Sequence, residues 1–393
     1  MNILHSFTKE TVIALVFGLF TAKFYKKTIQ MSSSTVLDQE VSLKLVDASE
    51  TFTADELLDL TNVWNDDKPE GKFLRGRHGT THYVVDRNDD EETSKRGIVV
   101  LGHGLGSSLK MYKPFAKLLV NEGYTVLRYD YFGHGYSKAN DMWVKYTPDM
   151  FVDQLEDLID FVSKEEQEEV IGYVGHSNGG VNGISAQFRW SSNESARKVI
   201  PKMILVNGSV FAKKPLLAKI SDSIPTVMTT LMKNIPPMKG LIGDNYLELM
   251  TQVFGKDPAT NDYNYPDAFK ENMERNLRMF GRVKGVNQHP FLAPAILGVS
   301  CYNIPEAMLP MHRERLSKLV TMKGDENRAN YLYLWSELDV TVPSKDHLDV
   351  IHEWAKGNDN LKIKSFPGLS HEIFLEDHVT VANAVLPFLE SST

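Results

Sequence analysis

From Lys72 onward the hydrophobic pattern alternates between two periods. Short runs dense in Val, Ile, Leu and Tyr end in Gly- or Asp-rich turns, and between them lie longer stretches with apolar residues at helical spacing. FLRGRHGTTHYVV (73–85) predicts two strands joined at His78-Gly79. Further strands are predicted at RGIVVLGHG (96–104), YTVLRYD (124–130), VIGYVGHS (170–177), KMILVNG (202–208), YLYLW (331–335) and KIKSF (362–366). Helices are predicted over 112–122 and 148–162, again between 177 and 202, and at the C-terminus. Strands that alternate with helices and are apolar on both faces belong to a mostly parallel sheet covered on both sides. The expected class is α/β.

Two regions break this rhythm. Residues 32–70 are polar and acidic, and TADE (53–56) forms a capping-box pattern before Leu57, Leu58 and Leu60, which predicts one short helix. Residues 211–325 contain no strand pattern and hold 9 of the 15 methionines. There Ile220, Ile224, Val227 and Leu231 recur at helical spacing, and Pro225 and Pro266 suit helix starts. The expected organisation is a leader (1–30), a polar extension (31–71), a first core part (72–210), a helical cap (211–325) and a second core part (326–393).

The leader raises a membrane question. VIALVFGLFTA (12–22) is eleven uncharged residues followed by Lys23, Lys26 and Lys27. Eleven helical residues span about 17 Å, short of the ~30 Å hydrocarbon core. The segment reads as a marginal signal-anchor whose lysines hold the rest of the chain in the cytoplasm. Its competing readings are a cleaved signal peptide leading to the secretory pathway and an amphipathic leader with no part in the fold.

Composition narrows the partners more than the fold. With 42% hydrophobic and 24% charged residues, the 393-residue chain is ordinary for a globular protein, which excludes collagen, coiled coil and polytopic membrane classes. Forty-three Lys and Arg against 51 Asp and Glu give a net charge of -8, which argues against nucleic acid as a partner. Cys301, the single cysteine, cannot form an internal disulfide.

The chemistry concentrates at strand ends. GHSNG (175–179) is a G-x-S-x-G sequence after a β-run and before a helical one, so Ser177 is expected on a tight turn with its hydroxyl presented at a helix N-terminus. A serine hydroxyl needs a histidine base oriented by a carboxylate, and in this arrangement they follow in the order Ser, acid, His. Asp339 lies just beyond YLYLW, with Glu337 its nearby rival, and His371 lies just past KIKSF. Oxyanion donors are expected from the Leu105 amide, in the glycine loop HGLG (103–106), and from the Asn178 amide. His103 and His176 are read as structural, and DYFGHGYS (130–137) as a bracing loop.

HGLGSS (103–108), DYFGHGYS (130–137), GHSNGG (175–180), LDVTVP (338–343) and PGLSHEIF (367–374) together resemble the α/β-hydrolase superfamily. The nearer likeness is to the branch of monoacylglycerol lipases, serine aminopeptidase-like hydrolases and related esterases. It covers about 72–210 and 326–393. The resemblance implies an α/β-hydrolase fold with Ser177, Asp339 and His371 as a triad, Leu105 and Asn178 as oxyanion donors, and 211–325 as a lid. Asn178 stands where lipase relatives usually carry methionine.

The resulting expectation is a hydrolase of a carboxylic ester, lipid-like or otherwise apolar. Its rivals are an aminopeptidase or amidase, a thioesterase or C–C bond hydrolase, and a ligand receptor that keeps the triad. No cofactor or metal is implied: His371-Glu372 has Leu375 where a metalloprotease helix has its second histidine, and 102–106 is not a G-x-G-x-x-G loop. The sequons at Asn193 and Asn207 carry little weight, because so short a pattern arises by chance.

Overall fold

A computed structural model describes residues 42–88, 95–141, 146–191, 199–208, 210, 275, 278, 309–322, 328–339, 341–342 and 347–391. The 12–22 segment, and the cap positions Ile220, Ile224, Pro225, Val227, Leu231 and Pro266, lie outside them.

In chain order the described elements begin with β1 (Lys44–Val46), α1 (Ala48–Thr51), α2 (Ala54–Trp64), β2 (Lys72–Gly76), β3 (Gly79–Asp86) and β4 (Ile98–Gly102). There follow α3 (Lys113–Asn121), β5 (Thr125–Tyr129), β6 (Lys138–Ala139), α4 (Pro148–Glu166), β7 (Val170–His176), α5 (Asn178–Trp190) and β8 (Lys202–Val206). The last are α6 (Leu309–Thr321), β9 (Asn330–Ser336), α7 (Leu348–Ala355), β10 (Leu361–Phe366), α8 (Ile373–Glu376) and α9 (His378–Glu390).

The described strands form one ten-stranded sheet in the order β1-β2-β3-β5-β4-β7-β8-β9-β10, with β6 beside β3. Pairings from β5 through β10 are parallel, and those of β1, β2, β3 and β6 are antiparallel. The sheet is mostly parallel and covered by helices on both faces, as the apolar runs predict.

Alternation along each central strand divides the core in two. Ile98 and Val100 of β4, Met203 and Leu205 of β8, and Tyr331 and Tyr333 of β9 pack with α4, α5 and α6 on one face. Val99, Leu101, Ile204, Val206, Leu332 and Leu334 pack with α3, α8 and α9 on the other. Each strand buries both sets because side chains point to opposite faces at a period of two.

The capping box is formed: Glu56 N donates to Thr53 Oγ1 at 3.2 Å, and Thr53 N to Glu56 Oε2 at 3.0 Å. Its helix, α2, buries Leu60, Val63 and Trp64. β1 was not signalled by the pattern. Its three residues pair with β2 at the sheet edge, where only Val46 is buried, too short a run to show a period. α6 falls inside the range expected to be a cap, and it buries Leu316, Leu319 and Val320 against the core.

Candidate active site

The strand order reverses direction at β4, which has β5 on one side and β7 on the other. Loops leaving the C-terminal ends of β4 and β7 therefore emerge side by side, in the crevice where open α/β sheets bind ligands. The loop after β4 carries Leu105 and the turn after β7 carries Ser177.

Ser177 has φ 51° and ψ −116°, a strained backbone for a residue with a Cβ. The surroundings hold it there. Its N–H donates to Val206 O at 2.9 Å, and its carbonyl accepts from Gly180 N at 3.0 Å. The flanking glycines are sterically required, since a Cβ on Gly179 would fall 2.1 Å from Gly102 O and one on Gly175 would fall 2.7 Å from the Gly179 backbone. Asn178 is the first residue of α5 and is buried. On the opposite side, a Cβ on Gly104 would lie 3.1 Å from His176 Nδ1 and 3.2 Å from Ser177 Cβ, so the glycine loop abuts the serine turn. Leu105 follows directly and is half-buried against the core.

His371 and Asp339 meet. His371 Nδ1 donates to Asp339 Oδ2 at 2.7 Å, and both residues are buried, at 5% and 4% exposure. The other carboxylate oxygen, Oδ1, accepts from Thr341 N at 2.8 Å and Val342 N at 2.9 Å. Glu337, the rival acid, is exposed. Burial alone would raise the Asp339 pKa, but His371 and the two amides outweigh it and hold it below the ordinary value. For His371, burial favours the neutral ring, yet Asp339, with Glu372 and Glu376 behind it, raises its pKa above the usual histidine value. Among the described hydrogen bonds none joins His371 to Ser177. His176, beside Ser177, reaches the His371 loop: its ring lies 4.8 Å from that of His371 and its Nε2 donates to His371 O at 2.7 Å. Hydroxyl–imidazole bonds are often long before a substrate is bound.

Neutral imidazoles brace this arrangement. Burial, with His371 nearby, depresses the His176 pKa to about 3, so its ring stays a single donor. Burial depresses His103 to about 4. His103 Nδ1 donates to Gly104 O at 2.7 Å and its Nε2 accepts from Tyr131 N at 3.0 Å, tying the glycine loop to the loop after β5. Asp130 braces that loop from inside, accepting from Leu109 N, Tyr136 N and His82 Nδ1.

Three supporting groups carry no motif. Asn207, at the end of β8, bonds the loops of both Asp339 and His371. Glu376 accepts from Ser370 N at 3.0 Å and from its hydroxyl, fixing the residue before His371. Tyr173 OH donates to Gly179 O at 2.8 Å beneath the serine turn. A polar residue directly after a core strand is the one sequence signal for Asn207, and the other two have none.

No group of three or more metal-ligating side chains occurs among the described residues. Among them, too, no helix is long and apolar enough to cross a membrane.

Comparison with known proteins bears on the fold. Residues 93–273, a little under half of the chain, match the family described as serine aminopeptidase, S33. Monoglyceride lipase of Rattus norvegicus is 29% identical over 130 residues, which is 33% of this chain and 43% of the lipase. Two solved structures align over most of the chain. An enol-lactonase from Burkholderia xenovorans LB400 has a TM-score of 0.56 at 16% identity, covering 81% of this chain and 100% of that one. An esterase from Exiguobacterium antarcticum has a TM-score of 0.54 at 15% identity, covering 82% and 100%. At such identities the likeness speaks for the fold, and the sheet order, the strained serine turn and the family match point the same way. The chain has the α/β-hydrolase fold, and over residues 93–273 it is similar to the serine aminopeptidase family.

Proposed function

We propose that this protein is a serine hydrolase that cleaves a carboxylic ester with an apolar, lipid-like acyl group through an acyl-enzyme on Ser177. The observation that carries the reading is the buried His371–Asp339 hydrogen bond, 2.7 Å long, on loops fastened to the strained serine turn. Ser177 Oγ attacks the ester carbonyl carbon while His371 Nε2 takes its proton. Asp339 holds the ring in the tautomer that leaves Nε2 free to accept and stabilises the imidazolium that forms. The tetrahedral oxyanion is met by the Leu105 and Asn178 amides, assisted by the N-terminus of α5. The C–O bond to the leaving alkoxide breaks, and the alcohol departs with the proton from His371. Water then hydrolyses the acyl-enzyme by the same steps in reverse.

The likeness to a monoglyceride lipase supports the ester and its apolar acyl group. The family description, serine aminopeptidase, favours an amide-cleaving reading of the same three residues. A thioesterase or a receptor that retains the triad uses the same geometry. Fluorophosphonate labelling of wild type and Ser177→Ala, with turnover screens on monoacylglycerols, p-nitrophenyl esters, acyl thioesters and aminoacyl amides, separates these. The expected result is labelling confined to wild type and turnover highest on esters. Preferred turnover of aminoacyl amides would move the assignment to a peptidase, and labelling of Ser177→Ala would remove the serine mechanism.

A further inference from the structure

We propose that Asn207 is a positioning residue, whose side-chain amide locks the Asp339 loop and the His371 loop into one register. The inference rests on the reading of Ser177, Asp339 and His371 as the working residues.

Asn207 directly follows β8, the strand between the serine turn of β7 and the acid-bearing β9. It is 1% exposed and its backbone is left-handed, with φ 47°, a conformation asparagine tolerates better than most residues. Its backbone N–H continues the sheet by donating to Leu334 O at 3.0 Å. The side chain then reaches in two directions. Toward the acid, Oδ1 accepts from Ser336 N at 2.9 Å and Nδ2 donates to Ser336 Oγ at 3.1 Å. Ser336 is the last residue of β9, and its carbonyl accepts from Asp339 N at 3.2 Å, so fixing Ser336 fixes the turn that aims Asp339. Toward the base, Nδ2 donates to His371 O at 3.0 Å and approaches Ser370 O at 3.4 Å.

The two loops come from different strands and touch each other through few backbone bonds, among them Leu338 N to Leu369 O at 3.0 Å. One buried amide bridging both is therefore placed to set the His371–Asp339 distance. Only asparagine combines the left-handed backbone, an acceptor for Ser336 N and donors for a carbonyl at this reach. Aspartate keeps the acceptor but turns an oxygen toward two carbonyls. Such burial of the amide also removes the Asn207 sequon from consideration as a glycan site.

Asn207→Gly keeps the backbone freedom and deletes the bridge, and Asn207→Asp keeps the shape and deletes the donors. Ser336→Ala serves as control, since it removes one partner and leaves the Oδ1 and His371 contacts. The readouts are the second-order rate of fluorophosphonate labelling, kcat and KM on p-nitrophenyl butyrate, Tm, and the low-field proton resonance of the His371–Asp339 bond. For Asn207→Gly the expected result is a fall in labelling rate and kcat on the order of 10²-fold, as for misplacement by about 1 Å, with KM within about threefold. The low-field resonance should weaken or vanish, and Ser336→Ala should stay close to wild type. Should Asn207→Gly not fold, Asn207→Asp reads the same quantities. Wild-type labelling and an unchanged resonance in a folded variant would overturn the proposal. Ser177→Ala separates the two readings: if it stays reactive the triad assignment fails, and if it is inert while the Asn207 variants behave as wild type, only this inference fails.

Discussion

Ser177 is held at a backbone angle that L-residues avoid, and the cost is met by packing on every side of it. Its substitution by alanine leaves that backbone intact and removes only the hydroxyl. Ester turnover is expected to fall by a factor on the order of 10⁶, with fluorophosphonate labelling abolished and Tm little changed. For the pair behind it, pH gives a second test. In the proposed mechanism His371 is the general base and must be neutral, and its pKa is raised, so activity should fall as pH drops through a value above the ordinary histidine one. Asp339→Asn removes the raising charge, so the acid limb should move to lower pH and turnover should fall about 10⁴-fold. Stability follows the linkage signs. The raised His371 pKa means a contribution fully present below about pH 6.5 and lost as pH rises through the folded value. The lowered Asp339 pKa means a contribution present above about pH 4 and lost as pH falls through its folded value. The Tm deficit of Asp339→Asn should therefore be greatest between about pH 4 and about pH 6.5 and shrink as pH rises through the folded His371 value. A deficit that grew with pH would show that the pair is not coupled as described. At this scale Ser177, Asp339 and His371 were legible as candidates because each residue type sits in the loop just after a strand. Asn207 was not, because an asparagine at a strand end is ordinary until its partners on two other loops are known.

At the scale of elements, the serine turn depends on β4, β7 and α5 approaching closer than side chains allow. Gly179→Ala places a Cβ 2.1 Å from Gly102 O, a backbone atom that cannot yield cheaply. It should destabilise the fold by at least ~2 kcal/mol and lower the labelling rate as well. Gly357→Ala is the counterpart. It has nothing within 4 Å but a φ of +69°, so only the left-handed penalty of about 1–2 kcal/mol applies and activity should survive. Chemical denaturation and labelling of both variants measure the contrast, and equal effects on labelling would mean that the close approach is not what shapes the turn. α4 was predicted to end near residue 162 and runs to Glu166, capped by Gln167 in the left-handed conformation. Its last turn is polar, and polar helix ends give no periodic signal.

For the whole molecule, residues 42–71 of the extension are part of the fold. β1 joins the sheet edge, Trp64 is buried, Tyr136 OH donates to Asp66 Oδ2 at 2.9 Å, and His82 Nε2 bonds Glu70 O. A chain beginning at Ser42 should therefore fold and label normally, whereas one beginning at Gly71 should lose several degrees of Tm or fail to fold. Normal melting of the shorter chain would reduce the extension to a tether.

The hydrophobic pattern alone carried the α/β class and the order of most strands and helices, because each depends on residues a few positions apart, while short motifs at strand ends marked Ser177, Asp339 and His371 as candidates. Periodicity carries no information about which strand lies beside which. The β5-β4-β7 order that sets the glycine loop against Ser177 was decided by tertiary packing, as was the closure of the Asp339 and His371 loops to 2.7 Å. So was the Asn207 amide between them, for these contacts join residues 32 to 164 positions apart whose meeting depends on how the whole sheet buries its two faces.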